Sequence, residues 1–342
     1  MMEAINQEIV FRKDYLRATI NTIYFGGGTP SLIPIPLLEH LMGILQNNYN
    51  LSPNAEITLE SNPDDINEWN LAAWKMMGIN RLSIGIQSFS EHDLQWMNRA
   101  HTADQALQSI LLAKAAGFEQ ITIDLIYGTP VLTDAIWKNN VQIAIDAGIT
   151  HLSCYALTVE PKTGLEKLIA KKQVEAVDPD KQAAQFTLLM GWMAEAGFEH
   201  YEISNFAVPG CRSKHNSSYW TGEHYLGIGP SAHSFNGSSR QWNIANNSLY
   251  IQSLSKGTIP FEREILTTDQ QLNEYIMTSL RTMEGLSLTT VTHKWGDEKA
   301  NKIIQESSKH INLGYAKLTN NQLCLTSTGK LMADGIASDL FF

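Results

Sequence analysis

The sequence predicts an α/β fold: a partial barrel of six strands alternating with helices, followed by a small, mostly helical C-terminal domain. Three observations predict it. Short runs of apolar and β-branched residues alternate with helix-period segments from Thr22 to Ile203, and such alternation builds βαβ units with right-handed crossovers and a parallel sheet. Gly78, Gly117, Gly148 and Gly197 stand where helical segments must stop. Beyond about Phe206 the alternation ends, and from about Thr267 helical spacing returns with one hairpin signal. A chain of 342 residues has room for both units.

Residues 3–16 read as a helix with Ile5, Ile9 and Leu16 near one face. Strands follow at 22–25, 56–60, 81–85, 120–125, 151–155 and 199–203, with helices between them at 36–46, 68–77, 102–116, 137–147 and 181–196. Six strands describe a TIM-like (β/α)6 partial barrel over residues 1–206. The order has one irregularity: the chain starts on a helix, whereas each helix of a βα series follows the strand it packs against. The barrel is therefore expected to lack its first strand.

Residues 207–266 are expected to be a long loop and linker packed on the barrel, too rich in aromatics to be disordered. They contain Lys214-His215-Asn216-Ser217-Ser218-Tyr219-Trp220 and the run from Tyr225 to Phe235. Residues 267–342 read as helices at 270–283, 289–295 and 298–308, a hairpin at 315–325 turning on Asn320-Asn321, and a last helix to 339. Three helices with a hairpin resemble a winged helix. From Pro260 onward, however, 8 Lys and Arg face 10 Asp and Glu, which speaks against DNA binding and for a packing or lid role.

The whole chain carries 25 Lys and Arg against 35 Asp and Glu, a net charge of -10 that disfavours non-specific binding to nucleic acid or anionic membrane. No apolar run approaches the ~20 residues of a membrane span, and Met1-Met2-Glu3-Ala4 does not open a signal peptide. The expectation is a cytoplasmic protein without stable membrane insertion. Cys154, Cys211 and Cys324 lie far apart, which suits separate thiols better than a disulfide framework or a complete metal site.

The chemistry is expected at the carboxyl ends of the strands, where ligands gather in parallel α/β folds. Gly26-Gly27-Gly28-Thr29-Pro30 ends the first strand. Without Cβ atoms a bound molecule can touch that backbone and use its free N–H and C=O groups; the plain alternative is a flexible loop. Glu60 ends Ile57-Thr58-Leu59-Glu60, Gln87 follows Leu82-Ser83-Ile84-Gly85-Ile86, Asp124 interrupts Ile121-Thr122-Ile123-Asp124-Leu125, and Arg99 lies shortly after Gln87. A carboxylate in an apolar strand is costly unless it is paired or meets a cation. Each alone fits a satisfied structural group. Together at one barrel mouth they describe a pocket for a ligand with an ammonium, a carboxylate and a ribose.

GGGTP, ESNP, NRLSIGIQSF, Asn98-Arg99-Ala100-His101 and IDLIYGTP together resemble the radical S-adenosylmethionine superfamily, and more narrowly the family of oxygen-independent coproporphyrinogen III oxidase and its haem chaperone relatives. The resemblance covers essentially the whole chain. HNSSYW at 215–220 and GIGPSAHSF at 227–235 look like the chaperone branch. The resemblance implies that Gly27, Gly28 and Thr29 hold the methionine part of S-adenosylmethionine, with Glu60, Gln87, Arg99 and Asp124 as further contacts. It also implies a CxxxCxxC loop holding a [4Fe–4S] cluster. That motif is absent from this chain, so it is expected to lack the cluster segment, with no metal site of its own and no reductive cleavage of S-adenosylmethionine. For haem, the candidates are His215 and His233, with Tyr219, Trp220 and Tyr225 as aromatic walls, because imidazole is a common axial ligand and a flat ligand favours aromatic neighbours; the plain alternative for each histidine is loop-ordering hydrogen bonding. The family implies haem delivery to an apoprotein, with contact to a membrane-bound acceptor left open. The alternatives are a coproporphyrinogen III oxidase and a scaffold that binds neither cofactor.

Overall fold

The computed structural model describes residues 1–342. Helix α1 (Met2–Phe11) leads through an irregular stretch into β1 (Ile20–Phe25); α2 (Ile35–Asn48), β2 (Leu51–Ser61), α3 (Glu68–Met76) and β3 (Arg81–Gln87) follow. Next come α4 (Glu91–Trp96), α5 (Ala103–Ala115), β4 (Gln120–Tyr127), α6 (Asp134–Asp146) and β5 (His151–Ala156). Helices α7 (Gly164–Ala170) and α8 (Pro179–Glu195) precede the hairpin β6 (Glu199–Glu202) and β7 (Asn205–Ala207). Asn67, Thr102, Thr133 and Asp178 cap helix N-termini with their side chains. Gly78, Gly117, Gly148 and Gly197 end four helices with positive φ, conformations that favour glycine.

The sheet runs β1-β2-β3-β4-β5-β7-β6, with β1 to β5 parallel and β1 at one edge. It curls as a half-barrel with two unlike faces. Ile57, Leu59, Leu82, Ile84, Ile121, Ile123 and Leu152 pack under the helices in a core of 35 buried residues. The alternate positions, Thr58, Glu60, Arg81, Ser83, Thr122, Asp124, His151 and Ser153, share the opposite, inner face. Parallel strands buried on both sides read as continuous apolar runs. The polar alternation here marks a face that is kept for something other than packing.

Two expectations are corrected. The sixth strand is not a further parallel strand beside β5: β7 takes that place, antiparallel, and β6 is the outer strand of the hairpin. The reason is local, since the buried Glu202 carboxylate accepts the Ser204 N–H and the Asn205 side-chain amide, closing a two-residue turn. The stretch after Phe206 is also more ordered than a loop. It forms α9 (Lys214–Thr221), strands β8 (His233–Phe235) and β9 (Ser239–Asn243), α10 (Asn247–Ser255) and β10 (Phe261–Ile265), with an antiparallel sheet in the order β10-β9-β8. Buried Glu8 of α1 ties this region down, accepting from Arg12, the Gly229 N–H, Asn243 and the Tyr250 hydroxyl.

The C-terminal part contains α11 (Thr268–Leu280), β11 (Leu286–Ser287), α12 (Leu288–Trp295), α13 (Asp297–Asn312), β12 (Ala316–Thr319), β13 (Gln322–Leu325), α14 (Ser327–Lys330) and α15 (Ala333–Asp339). Its hairpin turns at Asn320 and Asn321, both with positive φ, as the Asn-Asn pair predicts. It has its own core of 15 buried residues. Backbone bonds from Ile203 N to Arg281 O (3.1 Å) and Met283 N to Tyr201 O (3.0 Å) join it to β6.

Candidate functional site

The carboxyl end of β1 is built around Glu60. Its Oε1 accepts the Tyr24 hydroxyl at 2.7 Å and its Oε2 accepts the Gly27 N–H at 3.2 Å. A Cβ on Gly26 would stand 2.6 Å from the Tyr24 ring and 2.9 Å from Glu60 Oε1, so only glycine lets the loop pass. Gly27 and Gly28 have no neighbour within 4 Å of a built Cβ, leaving their backbone open to a ligand. Thr29 follows at the entry to a short 3-10 turn.

A second cluster forms where β3 ends. Gln87 adopts φ 64, at an irregularity in the β3–β4 register, and its amide approaches Gly85 together with Arg99 and Asn62. The Arg99 guanidinium donates to Asn62 Oδ1 at 3.0 Å and to Gly85 O at 3.3 Å. Its Nε is buried with no protein partner, a donor held ready for an acceptor that the fold does not supply. Asp124 lies on the inner face of β4, and burial, then the nearby Glu60 charge, push its carboxyl up to about 7. A cation placed between Glu60 and Asp124 would relieve that repulsion and favour the ionised form of Asp124.

Helix α9 approaches the same face from the amino end. The Glu56 carboxylate, on β2, accepts from Ser213 Oγ (3.2 Å), Lys214 N (3.1 Å) and His215 N (2.9 Å), and lies 3.5 Å from buried Arg81. A carboxylate at a helix N-terminus satisfies orphan N–H groups and meets the positive end of the dipole. His215 is thereby laid flat on Tyr24, with centroids 4.7 Å apart and planes 16° apart. Its Nδ1 pairs with Thr22 Oγ1 at 2.9 Å and its Nε2 with the Tyr219 hydroxyl at 3.2 Å. Burial lowers its pKa to about 4, so the imidazole is neutral near pH 7.

A groove of about 1410 Å³ runs along β1 and past α9. Its lining includes Gly26 and Gly27 together with His215, Tyr219, Tyr225 and His233. The remaining candidates divide differently. His233 is exposed on β8, its ring 6.2 Å from that of Trp242. Trp220 turns away from the groove and lies under the Arg281 guanidinium at 5.2 Å. Gly227 is required because a Cβ there would collide with the His233 carbonyl. Tyr24, Glu56 and Asn62, which position Glu60, His215 and Arg99, are not singled out in the sequence. The alternation that puts Tyr24 on the inner face is a usable signal; for Glu56, whose partners lie 157 to 159 positions away, there is none.

The fold closely matches the structure titled "Coproporphyrinogen III oxidase (HemN) from Escherichia coli is a Radical SAM enzyme", with a TM-score of 0.85 at 22% identity over 99% of this chain and 82% of that one. The sequence model of the radical SAM superfamily matches residues 3–144. The chain is 33% identical to the heme chaperone HemW of Mycobacterium tuberculosis over 323 residues, 94% of this chain and 81% of the relative. The chain belongs to the radical SAM haem chaperone family. The Bacillus subtilis HemW agrees, at 31% identity over 93% of this chain and 84% of that protein. The family implies S-adenosylmethionine and a [4Fe–4S] cluster as cofactors. The first fits the inner face: open glycine backbone, paired carboxylates and an unpartnered Arg99 donor suit a zwitterionic sulfonium. The second does not fit the thiols of this chain, since Cys154 is on β5, Cys211 follows β7 and Cys324 is on β13, and no three His, Cys, Asp or Glu side chains converge as metal ligands. No helix is long and apolar enough to cross a membrane.

Proposed function

We propose that this protein is a haem carrier: it takes haem into the groove beside β1, holds S-adenosylmethionine at the carboxyl ends of β1 to β4, and passes haem to an apoprotein. The observation that carries this reading is the shared groove, whose lining includes both the glycine loop and the His215–Tyr219 pair. The family's chaperone relatives support the same reading. Gly27, Gly28 and Thr29 would seat the amino-acid end of the cofactor, with Glu60 and Asp124 facing its cationic groups and Gln87 and Arg99 its acceptors. Together with an iron–sulfur cluster, this cofactor supplies radical chemistry in the superfamily. The three dispersed thiols give no support for a cluster here, and no catalytic step is assigned.

His215 is the proposed axial ligand. Its imidazole is neutral at physiological pH, as iron ligation requires, and Thr22 at Nδ1 fixes the ring while Nε2 faces Tyr219. Hydrogen bonds to the other ring nitrogen orient metal-ligating imidazoles. Replacing the Tyr219 contact with iron gives up one hydrogen bond, about 1 kcal/mol, which a metal–imidazole bond readily offsets. The test is haemin uptake by the intact chain followed by incubation with an apo-haemoprotein. One haemin per chain with transfer supports the carrier; consumption of coproporphyrinogen with loss of carbon dioxide supports the oxidase instead, and binding of neither haemin nor S-adenosylmethionine supports the scaffold.

A further inference from the structure

Tyr24 touches both the glycine-loop cluster and His215. Its hydroxyl is hydrogen-bonded to Glu60 at 2.7 Å, and Glu60 in turn holds the Gly27 N–H. One edge of its ring packs so closely on Gly26 that a Cβ there is excluded. Its face carries the His215 imidazole at 4.7 Å, nearly parallel, and His215 passes the contact on to Tyr219 and Tyr225. The glycine loop, the carboxylate and the histidine are therefore packed on a single ring. That ring cannot rotate without disturbing all three.

From this geometry we infer that Tyr24 couples the two binding sites, so that S-adenosylmethionine at the glycine loop tightens haem binding at His215, and haem tightens S-adenosylmethionine. The inference rests on the carrier reading and adds to it a positioning residue and the sign of the effect. The physical reason is prepaid order. A ligand seated against Gly27 and Glu60 fixes the carboxylate, the carboxylate fixes the Tyr24 hydroxyl, and the Tyr24 ring fixes the plane of His215. The second ligand then meets a ring that is already immobilised, and an ordering term already settled by the first ligand appears as positive cooperativity. Linkage requires the factor to be the same in both directions.

The experiment is a haemin titration followed by absorbance, with and without saturating S-adenosylmethionine, and the converse calorimetric titration. In the unsubstituted protein the haemin Kd is expected to fall about fivefold or more on saturation, within the usual range of coupling between sites, and the converse factor should agree. Tyr24→Phe keeps the stack on His215 and removes the bond to Glu60; each ligand alone still binds and the factor collapses to about one. A merely structural role would weaken both affinities and leave the factor unchanged. A factor of one in the unsubstituted protein, or an unchanged factor in Tyr24→Phe, overturns the inference. As a check that needs no substitution, the ring nitrogen resonances of His215 in protein labelled with ¹⁵N at histidine should shift when S-adenosylmethionine is added without haemin; unmoved resonances overturn it equally. Failure of either ligand to bind alone would instead remove the carrier reading, and the coupling with it.

Discussion

The two proposed sites are made from different materials. The cofactor site is backbone and strand side chains on a rigid parallel sheet: Gly26 to Thr29 follow β1, Glu60 and Gln87 stand at the ends of β2 and β3, Asp124 lies within β4 and Arg99 follows α4, and the outer face of these strands is locked into the main core. The histidine end is one eight-residue helix, α9, with no buried residue of its own. It is held at its N-terminus by the Glu56 carboxylate, which accepts the Lys214 and His215 N–H groups, and by the Ser213 cap. Sites on strands inherit the precision of the sheet, whereas a site on a peripheral helix is only as well placed as its anchor. The difference suits the proposed roles: a small cofactor recognised by a fixed constellation, and a large cargo that has to be released.

The largest effect should come from the anchor. Glu56→Ala leaves buried Arg81 without its carboxylate and strips the Lys214 and His215 N–H groups at the start of α9 of their acceptor, which should cost about 3–5 kcal/mol in urea unfolding and reduce haemin binding before S-adenosylmethionine binding. Equal losses at both ends would show that α9 is not separately anchored. Next in size is Asp124. Its folded carboxyl titrates at about 7 against an ordinary value of 3.8, so the unfolded chain releases this proton first, and its contribution to stability, complete below the unfolded value, is lost as pH rises from about 4 to 7. Asp124→Asn should flatten that part of the pH–stability profile by up to about 4 kcal/mol, while weakening S-adenosylmethionine and sparing haemin. An unaltered profile would refute the buried, repelled carboxylate. The smallest effect belongs to the rim: exposed His233, with no pairing beyond a tilted ring contact, should change stability by less than about 0.5 kcal/mol when replaced by Ala. A larger loss of haemin affinity there than at His215 would move the cargo site to β8.

Much of this was legible in the sequence, for a physical reason. Parallel βαβ order, glycine helix stops and the Asn-Asn hairpin turn are local patterns, and local patterns specify local structure. The residues proposed to meet the cofactor could be singled out too, because strand-end polar residues and a Cβ-free loop announce themselves within a few positions. The β6–β7 turn was missed because it depends on the Glu202 carboxylate folding back on Ser204 and Asn205, a contact to which the strand period is blind. The stretch after Phe206 was read as loop because its order comes from partners far along the chain: Glu8 reaching Gly229 and Asn243, and Glu56 reaching α9. Tyr24 looked like one more strand aromatic. Only the folded molecule shows that its hydroxyl meets Glu60 while its ring carries His215.

The most direct test of the central claim, that the groove carries haem on His215, is a haemin titration comparing the unsubstituted protein with His215→Ala and His233→Ala. His215→Ala should lose at least about tenfold in affinity, corresponding to about 1.4 kcal/mol, and change the position of the haem absorption band, with its circular dichroism intact and His233→Ala unaffected. Identical titrations and spectra for His215→Ala and the unsubstituted protein would contradict the account.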